Sequence, residues 1–298
     1  MILIAGASGV LGREVATRLL AGGEQVRVMA RTPAKVDDLK RAGAEVVQGD
    51  LVDAPSLALA CTGADRVFVA AHAMLGKGDH DSHAVDDVGH RALIDAAGAA
   101  GVSRFVYVSI LGAAPDHPVD FWRTKSRVEE YLKASGLSYT ILRPSAFMET
   151  HAHTFCGKSI LESGKTTLLG KGTKPRNFVA VRDVAAVAVL ALTDPGLRGR
   201  TIEIGGPGDF TNDQVAALYG ELAGVTPKVR HVPPPVARGM SVVLKPFQPG
   251  VSRIMYMNSL PDDAFSECFD PEPLLAEFPL QLTTLQEFVG ERVAEARG

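Results

Sequence analysis

The sequence lacks several features that would each point to a particular class of protein. Its three cysteines, Cys61, Cys156 and Cys268, lie far apart and show neither the paired spacing of a zinc site nor a disulfide framework. Charge of one sign is not in excess: 31 basic residues face 34 acidic ones, which gives no reason to expect nucleic acid or an anionic membrane as partner. The longest apolar run, VAAVAVLAL at 184–192, is too short to span a bilayer. We therefore expect a cytoplasmic globular protein that binds no metal, nucleic acid or membrane.

Apolar runs of strand length alternate with helix-like segments over the first half of the chain. The alternation runs from ILIAG at 2–6 to SYTILRP at 138–144, and it resumes with FVAVRD at 178–183. This order predicts an α/β fold with a doubly wound parallel sheet, whose strands are apolar throughout because helices cover both faces. A looser, proline-rich remainder predicts a smaller C-terminal lobe that binds substrate at the carboxyl edge of the sheet. The predicted domains are 1–150 with 178–207 for the sheet, and 151–177 with 208–298 for the lobe.

A glycine-rich turn, GASGVLG, joins the first strand to the first helix. A tight turn, the close approach of a pyrophosphate and close helix–strand packing each exclude a side chain, and the helix N-terminus favours an anion. Three glycines alone are a weak signal, and a turn that only packs is the alternative. The strand before them and the helix after them favour a dinucleotide site. The predicted contacts in this turn are Gly6, Ser8, Gly9, Val10, Leu11 and Gly12.

The second predicted strand ends in Arg31. Sites specific for NAD usually carry an acidic residue at this position for the ribose 2′-hydroxyl. An arginine can instead form charge-assisted hydrogen bonds with a 2′-phosphate, and Lys35 can add a second positive charge. The sequence therefore favours NADP(H), and a solvated arginine at a strand end is the alternative.

The stretch QGDLVD places Asp50 at the end of the third predicted strand. At that edge its carboxylate can reach the adenine amino group while Leu51 packs against the ring. The alternative is that Asp50 is an ordinary turn or cap residue.

Seven stretches together resemble the NmrA-like branch of the atypical short-chain dehydrogenase/reductase superfamily. They are IAGASGVLG, MARTPAK, QGDLVD, LIDAAGAAGVSRFVYVS, the helix of Lys125, GLSYTILRPSAFME and NFVAVRDVAAVAVLAL. The resemblance implies a Rossmann-type fold, NAD(P) bound in a cleft at the carboxyl edge, and a small C-terminal substrate lobe. We expect further cofactor contacts at Ala70, Ala71, Pro144 and Phe147, with core packing as the alternative for Phe147.

Reductases of this superfamily use a Tyr-x-x-x-Lys pair and a nearby serine, and the resemblance gives those roles to Lys125 and Ser109. Residues four apart share a helix face, so the lysine can lower the pKa of the phenol and bind the nicotinamide ribose. Here the first position is Phe121, which has no proton to donate, and neither Tyr107 nor Tyr131 replaces it by spacing. Lys125 is expected to bind the ribose rather than to lie exposed on its helix. Ser109 is expected to be catalytic, with strand-end hydrogen bonding as the alternative.

Four histidines, His72, His80, His83 and His90, lie within nineteen residues around the polar stretch GKGDHDSH. A zinc site needs three or four ligands that converge on one point, which this stretch does not predict. A position near the mouth of the cleft, in contact with substrate, is the more plausible functional role.

Two classes of function remain open on the sequence. The first is an NADPH-dependent reductase of a small apolar or conjugated substrate, such as a quinone or an enone, with the final proton taken from water. The second is a protein that binds NADP(H) without turnover, either as a sensor that acts through a protein partner or as an assembly protein.

Overall fold

The computed structural model describes residues 1–297, in which strands and helices alternate along the chain. The strands are β1 (Ile2–Ala5), β2 (Val26–Ala30), β3 (Glu45–Gln48), β4 (Arg66–Val69), β5 (Arg104–Val108), β6 (Tyr139–Pro144), β7 (Ala146–Phe147), β8 (Lys165–Leu169), β9 (Arg176–Val179), β10 (Arg200–Ile204), β11 (Asp209–Phe210) and β12 (Lys228–Val232). The helices are α1 (Val10–Ala21), α2 (Asp37–Arg41), α3 (Ala54–Cys61), α4 (His90–Ala99), α5 (Asp120–Ala134), α6 (Lys158–Ser163), α7 (Val181–Thr193), α8 (Asn212–Ala223), α9 (Pro234–Leu244), α10 (Pro249–Met257), α11 (Glu272–Glu277) and α12 (Leu285–Arg297). Two π-helical segments, His83–Gly89 and Met148–Gly157, precede α4 and α6.

The chain forms two compact units. The first contains Met1–Arg143 and Val184–Ile202, and the second contains Pro144–Asp183 and the residues from Glu203 onward. The boundaries predicted at 150, 178 and 207 differ from Arg143, Val184 and Ile202 by seven, six and five residues. The roles predicted for the two domains, cofactor binding and substrate binding, remain predictions.

A seven-stranded sheet, in the order β10-β6-β5-β4-β1-β2-β3, is the centre of the first unit. The strands β1 to β6 pair in parallel, so that Ile4 of β1 faces Val28 of β2 on one side and Phe68 of β4 on the other. All four residues of β1 are fully buried, because helices cover both faces of the sheet. The order 3-2-1-4-5-6 reverses between β1 and β4, and in such sheets ligands bind outside the carboxyl ends of the strands at that reversal.

Two predicted strand ends differ from the structure. Strand β2 ends at Ala30, so that Arg31 is the first residue beyond it, and β3 ends at Gln48, two residues before Asp50. Beyond β3 the Gly49 N–H still donates to the Ala30 carbonyl of β2 at 3.2 Å. The Asp50 N–H instead donates to the Ser56 hydroxyl. Both polar residues therefore lie in loops at the carboxyl edge.

The second unit contains two small sheets, β11-β9-β7 and β12-β8. Its core includes Phe178, Tyr219 and Phe288, all almost completely buried. Helix α12 contributes the buried side chains of Leu285, Phe288, Val289 and Val293. Within the part of the chain that the structure describes, no helix has the length and apolar character needed to cross a bilayer.

Candidate functional site

The glycine turn between β1 and α1 has a different requirement at each of its three glycines. Gly6 has a φ of 98°, and a Cβ there would lie 2.6 Å from the backbone nitrogen of Ala71. At Gly12 a Cβ would lie 2.3 Å from the Gly6 carbonyl oxygen. Gly9 has an ordinary φ of −87° and its nearest neighbour, the same oxygen, would be 3.3 Å from a Cβ. Gly6 and Gly12 are thus required by the packing of the protein itself. At Gly9 the absence of a side chain leaves open space above the turn.

The N-terminus of α1 opens into that space. Gly9 occupies the N-cap position, where no side chain caps the first amides of the helix. Ser8 and Gly9 are exposed, and Val10 is 50% exposed, whereas the Leu11 side chain is buried, so only its amide can face a ligand. Uncapped amides and the positive end of the helix dipole form a site for an anion such as a pyrophosphate.

Two cations in the segment that follows β2, Arg31 and Lys35, are exposed. Arg31 accepts a hydrogen bond from Gln48 only through its backbone carbonyl, and Lys35 accepts one from Arg13 in the same way. Within residues 1–297 no acidic side chain forms an ion pair with either cation. Arg13 itself is held by the Asp38 carboxylate, and its guanidinium lowers the pKa of that carboxyl. The charges of Arg31 and Lys35 are therefore not neutralised by an acidic side chain, and both side chains could bind an anionic group such as a 2′-phosphate.

Asp50 has a partner that its sequence did not reveal. One carboxylate oxygen lies 2.6 Å from Nε2 of His80, and the other accepts the Val52 N–H at 3.3 Å. Leu51 is buried, and Gly89 packs against it so closely that a Cβ would lie 2.8 Å from the Leu51 carbonyl oxygen. The adenine contact of Asp50 and Leu51 remains a prediction, but Asp50 also fixes the loop that carries His80.

Lys125 is buried on α5, so the alternative of an exposed helix lysine is wrong. Its Nζ donates to the Val108 carbonyl at 3.2 Å and lies over the rings of Tyr107 at 4.9 Å and Phe121 at 5.6 Å. Burial lowers the pKa of Lys125, and the carboxylates of Asp86 and Glu129 oppose that effect. Of the three N–H groups of an ammonium, one is used by Val108, which leaves donors for a ligand.

The hydroxyl of Ser109 has a structural use. It donates to the buried carboxylate of Glu129, which also accepts two hydrogen bonds from Arg143 at 3.0 and 2.7 Å. The strand-end alternative accounts for this contact. A catalytic role of Ser109 remains a prediction, and its proton is already directed to a carboxylate.

Sequence reasoning missed the buried Asp86. It lies in the π-helical segment, in a stretch (VDDVGH) that has the composition of a solvated helix face, yet it is fully buried. Both of its carboxylate oxygens accept the N–H of Ala73, at 3.0 and 3.2 Å. This contact holds the chain directly after Ala70 and Ala71, the predicted cofactor contacts that follow β4.

His90 and Tyr107 are both buried in the first unit and pack against each other. Their rings pack edge to face with centroids 5.4 Å apart. Burial lowers the pKa of His90 to about 4 and, with the nearby Asp86 carboxylate, holds the pKa of Tyr107 well above its ordinary value. Neither group gains or loses a proton readily at neutral pH.

Pro144 and Phe147 belong to the second unit, where Pro144 ends β6 and Phe147 pairs with Val179 in β9. Their cofactor contacts remain predictions. Within residues 1–297 no three His, Cys, Asp or Glu side chains are grouped so that they could hold a metal ion.

A dinucleotide fits the residues of the first unit. The open space above Gly9 and the uncapped amides of α1 would hold the pyrophosphate, and Arg31 with Lys35 would hold a 2′-phosphate. Lys125 would hold the ribose at the other end. When bound, a nicotinamide dinucleotide supplies hydride chemistry.

Comparison with known proteins gives concordant results. Residues 6–195 match a protein family described as NAD(P)H-binding. The NAD(P)H azoreductase of Xenophilus azovorans is 34% identical over 226 residues, which cover 75% of this chain and 74% of that protein. Photosystem II assembly factor Ycf39 of Guillardia theta is 31% identical over 232 residues, covering 78% and 73% respectively. The solved NADPH-dependent quinone oxidoreductase of Escherichia coli, complexed with NADPH, superimposes with a TM-score of 0.77 at 25% identity, covering 98% of this chain and 99% of that one.

These findings confirm the predicted Rossmann-type fold and the predicted nicotinamide dinucleotide cofactor. They also agree with the predicted class, an NAD(P)H-dependent oxidoreductase, since the azoreductase and the quinone oxidoreductase both belong to it. The Ycf39 relative, in contrast, is named as an assembly factor and not as an oxidoreductase.

Proposed function

The chain belongs to this NAD(P)H-binding family, and we propose that it is an NADPH-dependent reductase of a quinone or another small conjugated acceptor. The observation that carries the proposal is the pair on α5: a buried Lys125 is retained, while the position one turn before it is Phe121. A lysine that binds the ribose serves hydride transfer, whereas the missing phenol removes the acid that a simple carbonyl needs.

Conjugated acceptors tolerate that loss better than simple carbonyls do. After hydride transfer to a simple ketone the negative charge stays on one oxygen, and a positioned acid contributes about 10²- to 10⁴-fold to the rate. In a quinone or an enone the charge is delocalised over the conjugated system, so that protonation is less demanding. Phe121 is almost completely buried and presents an apolar ring next to the ammonium, which suits a flat apolar acceptor.

Preference for NADPH over NADH rests on Arg31 and Lys35. Both cations are exposed and lack an acidic partner among the described residues, and each charge-assisted hydrogen bond contributes about 1.5–3 kcal/mol. The name of the Escherichia coli quinone oxidoreductase, which shares the fold over nearly the whole chain, supports the same cofactor and the same acceptor class.

A second candidate is a protein that binds NADP(H) without turnover and acts through a protein partner. The photosystem II assembly factor among the relatives favours it. Such a protein would need the same glycine turn and the same cations, so the cofactor site does not distinguish the two.

An NADPH-oxidation screen separates them. Purified protein is mixed with NADPH and, in turn, with quinones, enones, an azo dye and simple aldehydes. We expect oxidation with the conjugated acceptors and none above background with the aldehydes. Brisk turnover of a simple aldehyde would contradict the proposal, and tight NADPH binding without turnover of any acceptor would establish the second candidate.

A further inference from the structure

Reduction of a conjugated carbonyl acceptor by hydride requires one proton, and the groups expected to give it are not available in this unit. Phe121 has none, and the Ser109 hydroxyl donates to Glu129. The Tyr107 phenol is buried, with a pKa held well above its ordinary value by desolvation and by the Asp86 carboxylate. Lys125 is assigned to the nicotinamide ribose in the proposed site, and its Nζ also donates to the Val108 carbonyl.

One imidazole lies beside the position of the missing acid. His72 follows Ala70 and Ala71 at the carboxyl end of β4, and the backbone of Ala71 is in contact with Gly6 of the glycine turn. The His72 ring meets the Phe121 ring edge-on, with centroids 6.4 Å apart. Its side chain is exposed by surface area, although the protein packed around the ring desolvates the imidazole.

The other histidines near this edge have partners of their own. His80 bonds to the carboxylate of Asp50, and His90 is buried with Nδ1 on the Val85 carbonyl. The His117 ring is stacked on Trp122 at 4.9 Å. His72 is thus the imidazole of this edge that is both exposed and in ring contact with Phe121.

The groups that face His72 come from two helical elements. Lys125, on α5, is a cation that lowers the pKa of His72, and Asp86, on the π-helical segment, is a carboxylate that raises it. The larger cause is desolvation by the surrounding protein, which lowers the pKa from its ordinary value of 6.5.

We propose that His72 is the catalytic residue that donates the proton in the reduction of the conjugated acceptor. This inference rests on the proposed function. Hydride adds to the acceptor and leaves a negative charge on its carbonyl oxygen. An O–H bond then forms as an N–H bond of the His72 imidazolium breaks, so that acceptor, hydride and proton give the reduced product. The neutral imidazole regains its proton from solvent.

The kinetic test uses His72→Gln, with His231→Gln as the matched control, because His231 is an exposed histidine of the second unit that pairs with Asp213. In the unaltered protein kcat/KM for a quinone should fall as pH rises through a midpoint below 6.5, since the imidazolium is the donor. His72→Gln should lower kcat/KM severalfold at the acid end of this profile, less than the roughly 10²- to 10⁴-fold that a positioned acid contributes for a localised oxyanion, and should lose that pH dependence. NADPH affinity, measured by fluorescence titration, should stay within about twofold because the contribution of His72 is to proton transfer. A variant that keeps both the rate and the pH dependence overturns the inference.

A second readout does not depend on turnover. Pentachlorophenolate serves as a stable analogue of the oxyanion, and the titration of the His72 ring is followed by NMR, with His72→Gln used to assign its signal. The probe should raise the titration midpoint of His72 by about one pH unit or more, because a neighbouring negative charge favours the imidazolium. An unchanged midpoint overturns the inference. A raised midpoint in a protein that oxidises no NADPH would contradict the proposed function while leaving the proton-donating contact established.

Discussion

Replacing Gly9 and Gly12 by alanine, one at a time, separates the two uses of the glycine turn. At Gly12 an added Cβ would lie 2.3 Å from the Gly6 carbonyl oxygen and 2.7 Å from its carbon, and both are backbone atoms that cannot rotate away. At Gly9 the nearest atom would be 3.3 Å away, so a movement of a few tenths of an ångström removes the conflict. The two substitutions add the same methyl group and differ only in what it meets.

The expected magnitudes follow from these distances. Overpacking against backbone costs about 1–3 kcal/mol, and the better helix propensity of alanine returns at most ~1 kcal/mol, so Gly12→Ala should lower Tm by several degrees. For Gly9→Ala the reduced entropy of the unfolded chain, about 0.4–1 kcal/mol, offsets the poorer N-cap, so stability should stay within ~0.5 kcal/mol. The methyl group would nevertheless occupy the space above the turn. Loss of one charge-assisted hydrogen bond to the pyrophosphate, about 1.5–3 kcal/mol, weakens NADPH binding by about tenfold or more.

Thermal unfolding and NADPH fluorescence titration measure the two effects separately. Gly98→Ala is the control, since a Cβ at Gly98 in α4 meets nothing within 4 Å. It should leave NADPH binding unchanged and raise stability slightly. If Gly9→Ala bound NADPH as tightly as the unaltered protein, the pyrophosphate would not lie on this turn and the assignment of the site would be wrong.

Three further substitutions test the rest of the site. Arg31→Ala should reduce the preference for NADPH over NADH by about tenfold, since one charge-assisted contact with the 2′-phosphate is lost; equal affinity for the two cofactors in the unaltered protein would refute this. Phe121→Tyr should restore the acid next to Lys125 and add slow turnover of simple aldehydes in the NADPH-oxidation assay, and a variant with no such turnover would show that the cleft is closed to them at this position. Because burial lowers the pKa of Lys125, the unfolded chain holds this proton at pH values where the folded protein has lost it, so stability should rise as pH increases from the folded pKa toward 10.5. Lys125→Met should abolish that rise in chemical denaturation, raise stability at neutral pH and weaken NADPH binding; a variant less stable than the unaltered protein at neutral pH would contradict this.

The fold and the position of the glycine turn could be predicted from the sequence because their signals are local. Apolar runs of strand length identify the buried parallel strands, and a glycine motif between a strand and a helix is typical of a dinucleotide site. Gly6, Gly9 and Gly12 therefore lie at the join of β1 and α1, as expected, whereas the cofactor contacts of Arg31 and Lys35 remain predictions.

The side-chain contacts around the candidate site could not be predicted because they join residues far apart in the chain. The pair of Asp50 and His80 links positions 30 residues apart, and the bond from Ser109 to Glu129 links positions 20 apart. A hydroxyl near the end of a strand looks available for catalysis until its buried carboxylate partner is seen. Asp86 likewise has the sequence context of a surface residue, and only the tertiary structure shows it fully buried.

The surroundings of Lys125 argue that its charge serves a ligand rather than the fold. A buried ammonium is costly unless it is paired, and replacing buried charges by apolar side chains of similar size is often stabilising. The nearby carboxylates are already engaged, Asp86 by the Ala73 N–H and Glu129 by Arg143. The Val108 carbonyl and two aromatic faces are the contacts left to the ammonium. A stable fold alone would be served as well by methionine at this position. The nicotinamide ribose of the proposed site would bring hydroxyl acceptors to the ammonium and would compensate for the burial of its charge.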